Sequence, residues 1–280
     1  MKKKSRFLRA RSLTPCEHRE PVIVIDAGNS HTVAGVFSGA TLVDDWRMPT
    51  HGLKSEKQCW IHLRLLCREA GFSPKEIRGI VIASVVPRIG QLIKTVARRR
   101  FGLQPLVVSG RLKLGIRLRY ENPGTLGADR ICSVVAARSK YRGSLIVVDF
   151  GTAITYDVLS AGDIYLGGAI APGPATAAAA LSHLTAALPA VDPVRVPRNP
   201  IATSTFSAIE TGIMVGTIGS VEETVRRLKK AIGTPATVIA TGGYAPLIAA
   251  ETGAIDYLEP DLVLEGARLI YCHLRKKKAG

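Results

Sequence analysis

One segment of this chain is written twice, and the repetition limits what the chain can fold into. Residues 22–32 read VIVIDAGNSHT and residues 145–155 read LIVVDFGTAIT. Each copy has a continuous apolar run, an aspartate, a glycine two positions on, and then small and β-branched residues. An unbroken short apolar run predicts a strand covered on both faces, and an Asp-x-Gly step predicts a tight turn at its end. Beyond the turn, HTVAGVF and AITYDVL read as second strands. Short turns at Ser38-Gly39 and Ala161-Gly162 lead into third strands, ATLVDDWRM and DIYLGGAI. The pattern predicts a three-stranded antiparallel meander in each half of the chain.

Helical periodicity follows each meander. In the first half it covers 55–71, stopping at Gly71, then a region near 88–101, and 127–141. IRGIVIASVVP (78–87) and PLVVSG intervene as buried strands. In the second half, helices are predicted over 173–188, 204–233 and 261–277, with the strand ATVIATGG (236–243) ending in a glycine pair. Alternating sheets and helices predict an α/β protein of two similar domains, each a mixed sheet flanked by helices, with a cleft between them. The boundaries expected are a basic N-terminal extension over 1–20, a first domain over 21–142, a second over 143–274, and a basic tail over 275–280.

The formal charge of +16 is high for a chain with 46% hydrophobic residues. Its placement decides its meaning. Residues 1–20 carry +5 and the last ten carry +4, leaving +7 for the body. Charge concentrated on the ends reads as solvated tails, with at most non-specific attraction for nucleic acid or other polyanions. Aromatics are not interleaved with the basic runs, which argues against a single-strand binding surface. No stretch is apolar enough to span a membrane, and residues 1–20 lack the apolar core of a signal peptide. Cys16, Cys59, Cys67, Cys132 and Cys272 form an odd set without metal-ligand spacing, read as free thiols. Together these predict a cytoplasmic protein that does not engage the membrane.

Neither G-x-x-x-x-G-K-[ST] nor G-x-G-x-x-G occurs. A nucleotide site would instead use the two Asp-x-Gly turns. Gly28 lets the backbone bend and a ligand approach closely. Asn29, Ser30 and the turn amides offer donors to phosphate. Asp26 at a strand end suits a hydrated magnesium ion, which takes one or two carboxylates together with phosphate oxygens. Taken singly, the turn reads equally well as an ordinary hairpin whose polar residues satisfy local backbone. Asp149-Phe150-Gly151-Thr152 repeats the logic. GGAIAPG (167–173) and ATGG (240–243) add glycines at strand ends, where side chains would block a nucleotide. Asp129-Arg130 opens a helix, where an acid is favoured for local reasons also.

Duplicated Asp-Gly turns with a downstream TGG resemble the superfamily of acetate and sugar kinases, Hsp70 and actin. VIDAGNSHTVAGVF, ASVVP, YENPGTLGADR, VVDFGTAITYD, YLGGAIAPG, TSTFSAIETGIMVG and DLVLEGARLIY, in this order over 21–273, narrow the likeness to the type III pantothenate kinases. This resemblance implies two ribonuclease-H-like, actin-like domains and ATP-dependent phosphorylation of pantothenate, the first step of coenzyme A biosynthesis. It implies that Asp26, Ala27, Gly28, Asn29, Ser30, His31, Thr32 and Val33 bind the ATP phosphates, with Asp26 organising magnesium and Thr152 contacting the nucleotide. Asp129 would be the general base on the acceptor hydroxyl. Tyr120, Gly127, Ala128, Arg130 and Thr205 would contact pantothenate alongside it. Asp149 would hold a monovalent cation, potassium or ammonium, and the enzyme would be a homodimer. The alternatives on the same fold are a transcription-accessory or nucleic-acid-associated protein, or a kinase for another small substrate. His31 reads as a phosphate-side or surface donor, and His183 as a packing or interface residue.

Overall fold

The computed structural model describes residues 20–279, so the basic extension expected over 1–20 lies outside the described residues except for Glu20. In chain order the elements are β1 (Pro21–Ala27), β2 (His31–Ser38), β3 (Thr41–Pro49), α1 (Glu56–Glu69), β4 (Gly79–Ser84), α2 (Pro87–Phe101), β5 (Leu106–Val107), β6 (Arg117–Leu118) and α3 (Ala128–Lys140). They continue as β7 (Ser144–Phe150), β8 (Ala153–Leu159), β9 (Ile164–Pro172), α4 (Pro174–Leu184), α5 (Thr205–Ile232), β10 (Ala236–Thr241), α6 (Ala245–Ala249), β11 (Tyr257–Leu258) and α7 (Leu262–Ala279).

The repeat in the sequence is a repeat in topology. One sheet has the order β3-β2-β1-β4-β5, and the other contains β9-β8-β7-β10-β11, the same order one copy later. In each, the Asp-bearing strand is central. It runs antiparallel to its hairpin partner (β2 or β8) and parallel to the strand on its other side (β4 or β10). The runs Val22–Ile25 and Leu145–Val148 of these central strands are apolar and buried because both of their faces are covered. β3 instead alternates between exposed and half-buried residues, as an edge strand should. The architecture is thus the α/β arrangement of two mixed sheets flanked by helices.

The chain divides into two compact units. Among the described residues, one comprises 20–142, Asp163–Tyr165 and 261–279; the other comprises Gly143–Gly162 and Leu166–Pro260. In the first unit, Ile23, Ile25, Ile80 and Ile82 of the sheet pack against Leu63, Leu66, Ile89 and Ile93 of α1 and α2. Ser55 caps α1 by accepting from the Gln58 N–H, and α2 stops at Gly102 in the left-handed conformation. In the second unit, Ile146, Val148, Val238 and Ala240 pack with Ile209, Ile213, Met214 and Val221 of α5. Although α7 is last in the chain and was expected with the C-terminal half, it clusters with the first unit. Its apolar stripe of Leu262, Ala267 and Ile270 is buried, and Gly266 lies directly on the α3 backbone. It also remains helical through Ala279, across the segment expected as a tail from 275.

Cys59, Cys67 and Cys132 are buried free thiols, as the sequence suggests. Cys272 departs from that expectation, being disulfide-bonded. No helix among the described residues is long and apolar enough to cross a membrane.

Candidate active site

In the first unit, β1 delivers Asp26 to the end of the sheet, between Val33 of β2 and Ala83 of β4. The turn that follows is tight. The Gly28 N–H donates to the His31 carbonyl at 3.0 Å, and a Cβ at Gly28 would lie at the same 3.0 Å from that oxygen. Asn29, Ser30 and His31 are exposed, while Ala27 and Thr32 are buried. Thr50, a residue the sequence reading did not single out, braces this turn. Its hydroxyl donates to the Gly28 carbonyl at 2.7 Å and shares a 3.0 Å hydrogen bond with Thr32 Oγ1, while its N–H donates to the Ser30 carbonyl at 2.9 Å. Burial, together with the positive charges of Arg47 and His51, lowers the His31 pKa. The imidazole is therefore neutral at neutral pH and offers one N–H rather than a charge.

Asp129 sits in the first turn of α3, after a 3-10 turn over Pro123–Thr125 that Asn122 caps through its side chain. The Arg130 N–H donates to Asp129 Oδ1 at 2.8 Å, and this fixes the carboxylate at the helix end. Gly127 leaves this carboxylate its room, since a Cβ there would come 2.4 Å from the same oxygen. Burial raises the Asp129 pKa, and the Arg130 N–H and positive charge only partly oppose that rise. A carboxylate with a raised pKa is a stronger base once ionised. Ala128 and Arg130 are buried; Tyr120 is exposed, its ring tilted against Tyr165 at 5.9 Å between centroids.

The fully buried Cys132 links the two acids. Its thiol is pushed well above the usual range, first by burial and then by the negative charges of Asp26 and Asp129. Asp129 stands one helical turn before Cys132, and Asp26 approaches from the end of β1. The charges of the turn acid and the helix acid thus act on one side chain, though the two are far apart in sequence.

The second unit builds a different constellation from the second copy. Asp149 is the last residue but one of β7, between Thr155 of β8 and Thr241 of β10. Gly242, with φ +92°, presses its backbone onto this acid: a Cβ there would come 2.4 Å from Asp149 Oδ1. A Cβ on Gly173 would come as close, 2.2 Å from the Gly151 oxygen, and the Gly173 N–H donates to the Thr152 carbonyl at 3.0 Å. Thr176 Oγ1 donates to the same carbonyl at 2.6 Å. Gly173 of GGAIAPG and the first glycine of TGG, Gly242, thus converge on the Asp149–Thr152 turn. Thr205, exposed as the first residue of α5, also belongs to the second unit.

Among the described residues, no three His, Cys, Asp or Glu side chains cluster as a metal cage. Magnesium held between phosphates and one or two carboxylates needs no cage, so Asp26 at its strand end fits it. A carboxylate bordered by backbone, as at Asp149, fits a weakly hydrated monovalent cation. A cavity of about 450 Å³ in the second unit contains none of the residues expected at the site. It lies between the 195–203 segment and α5, where the exposed Arg195 pairs with the buried Glu210 at 3.1 Å.

With this geometry in place, comparison with known proteins is informative. The family model described as type III pantothenate kinase matches residues 22–227. The type III pantothenate kinase of Dehalococcoides mccartyi (strain 195) is 41% identical over 90% of this chain and 97% of its own length. That of Moorella thermoacetica is 44% identical over 89% of this chain and 98% of its own. A solved structure described as a Baf family transcriptional activator of Campylobacter jejuni matches with a TM-score of 0.58 at 19% identity, over 92% of this chain and 100% of that one. Component A of (R)-2-hydroxyglutaryl-CoA dehydratase from Acidaminococcus fermentans gives 0.52 at 13% identity, over 93% and 99%. At such identities the structural likeness concerns the fold alone.

Proposed function

The chain belongs to the type III pantothenate kinase family, and from that premise we propose how its residues divide the work of phosphorylating pantothenate with ATP. The reaction transfers the γ-phosphoryl group to the primary hydroxyl of pantothenate, giving ADP and 4′-phosphopantothenate, and opens coenzyme A biosynthesis. The transcription-accessory alternative is not favoured, since the relatives at 41–44% identity are kinases.

Asp129 accepts the proton of the attacking hydroxyl. The turn Asp26–Val33 binds the ATP phosphates through its amides and the Asn29 and Ser30 side chains, with neutral His31 as a donor at its edge. Thr152 contacts the nucleotide. Tyr120, Gly127, Ala128, Arg130 and Thr205 hold pantothenate. Asp26 holds magnesium, which when bound neutralises charge on the phosphates, and Asp149 holds potassium or ammonium. Phosphoryl transfer asks little covalent chemistry of a protein, so alignment and charge placement account for most of the rate. The observation that supports this assignment is that the charges of Asp26 and Asp129, both in the first unit, act on the same buried side chain, Cys132.

The homodimer and the cytoplasmic location belong to the same reading. Ile170, Leu184, Val194, Ile201 and Phe206 are exposed apolar residues of the second unit, the kind of surface a partner subunit covers. A coupled assay of ADP release on adding pantothenate, run with potassium and with sodium alone, tests the function. Pantothenate-independent ADP release, or none at all, would remove it.

A further inference from the structure

Arg130, expected to contact pantothenate, is only 8% exposed, and its charge acts on Asp129. A more accessible cation lies beside the same motif. The segment 111–119, RLKLGIRLR, carries Arg111, Lys113, Arg117 and Arg119 with no acid among them. It leads directly into Tyr120 and the turn that precedes Asp129.

Arg111 differs from the other three in how it is held. Gly110 is pressed onto the turn of the acceptor motif, where a Cβ would come 1.9 Å from the Pro123 oxygen. The Arg111 guanidinium then lies over Gly124 of that turn, with Nε 3.3 Å and Nη2 3.6 Å from where a Gly124 Cβ would be. The loop is pinned on both sides, by buried Val108 and Leu114, and closed by a 3.2 Å hydrogen bond from the Leu112 N–H to the Ser109 carbonyl. Among the described residues no carboxylate pairs with Arg111 and no hydrogen bond occupies its guanidinium. A surface arginine on a solvated face is normally free to swing. This one rests against the glycine of a capped turn three residues before Gly127, and its charge is unspent. A planar, pre-placed guanidinium is suited to bidentate recognition of a carboxylate.

We propose that Arg111 is a specificity-determining residue that binds the carboxylate end of the acceptor alcohol, selecting the anionic substrate over neutral analogues. This rests on the pantothenate kinase reading. The test compares pantothenate with pantothenyl alcohol, in which a hydroxymethyl group replaces the carboxylate. Arg111→Ala should raise KM for pantothenate and lower kcat/KM roughly tenfold, the loss of one charge-assisted contact at a partly solvated site. Its kcat should stay within about twofold. Constants for pantothenyl alcohol, as substrate or as competitive inhibitor, should not move. Arg111→Lys should fall between, and Arg111→Glu should discriminate against pantothenate further. An equal loss for both compounds, or no loss for either, overturns the proposal. A wild-type protein that releases no ADP with pantothenate would instead sink the kinase reading, and this proposal with it.

Discussion

Replacing Gly266 with alanine should damage catalysis from a residue that touches no substrate. A Cβ at this position would lie 1.9 Å from the Cys132 oxygen, 2.4 Å from its carbonyl carbon and 2.8 Å from its Cα. All three are main-chain atoms inside α3, so no rotamer change can relieve the overlap. Carbon and oxygen need about 3.2 Å, so α7 and α3 must separate by roughly 1.3 Å. Overpacking of this kind costs about 1–3 kcal/mol. For a protein of this size that corresponds to a fall in Tm of roughly 3–10 °C. The displaced helix carries Asp129 one turn before Cys132, and an ångström of misplacement at a reacting group costs on the order of a hundredfold in rate. Thermal melting and steady-state kinetics on Gly266→Ala should therefore show both losses. Nucleotide binding at the Asp26 turn, followed by calorimetry with a non-hydrolysable ATP analogue, should be far less affected. Wild-type melting together with wild-type kcat/KM would refute the close contact between α3 and α7 as a determinant of the site.

Asp129→Asn should lower kcat by about 10²–10⁴-fold while ATP still binds, because only proton acceptance is removed. In the wild type, the acid limb of kcat/KM should lie above the usual carboxylate range, since burial raises the Asp129 pKa. The same shift fixes a sign for stability. Where the folded state keeps a proton that the unfolded chain has released, stability falls as pH rises, and above the folded pKa that loss persists. Asp129→Asn should thus melt higher than wild type at neutral pH and no higher in acid; a lower melt at neutral pH would contradict the buried-base assignment. Gly242→Ala places a side chain at φ +92° and 2.4 Å from Asp149 Oδ1. It should abolish any gain in rate from potassium, read by titrating potassium chloride into the ADP-release assay. Full wild-type activity in sodium-only buffer would remove the cation role of Asp149.

The parts of this fold that the sequence reveals are those where burial writes a pattern. VIVI and LIVV are legible because central strands covered on both faces admit only apolar residues, and the Asp-x-Gly turns stand out against them. β6, β11 and α6 left no signal, because two-residue strands and a single helical turn are shorter than any hydrophobic period. Thr50 was missed for a different reason. Its hydroxyl reaches Gly28 across the β2–β3 hairpin, and nothing in a one-dimensional string relates the two. The close-approach glycines were visible as glycines, but what they approach was not: Gly266 meets Cys132, Gly173 meets Gly151, and Gly110 meets Pro123.

The placement of α7 bears on why a duplicated chain has an unduplicated site. Compared in order, the two copies make α3 and α7 counterparts, each following the fifth strand of its sheet. The two helices pack together through the glycine at 266. Their approaches differ sharply. From β11 to α7 the chain crosses only residues 259–261, whereas from β5 to α3 it runs through residues 108–127. Tyr120, Asn122, Gly124 and Gly127 lie in that longer passage, with Arg111 near its start and Asp129 just beyond its end. The shared topology accounts for two strand-end carboxylates, which suit a ligand rich in charge. On the proposed assignment, every acceptor contact except Thr205 lies in or beside the stretch the second copy lacks, which makes that loop, and not the repeated turns, the place where exchange with a relative should move substrate choice.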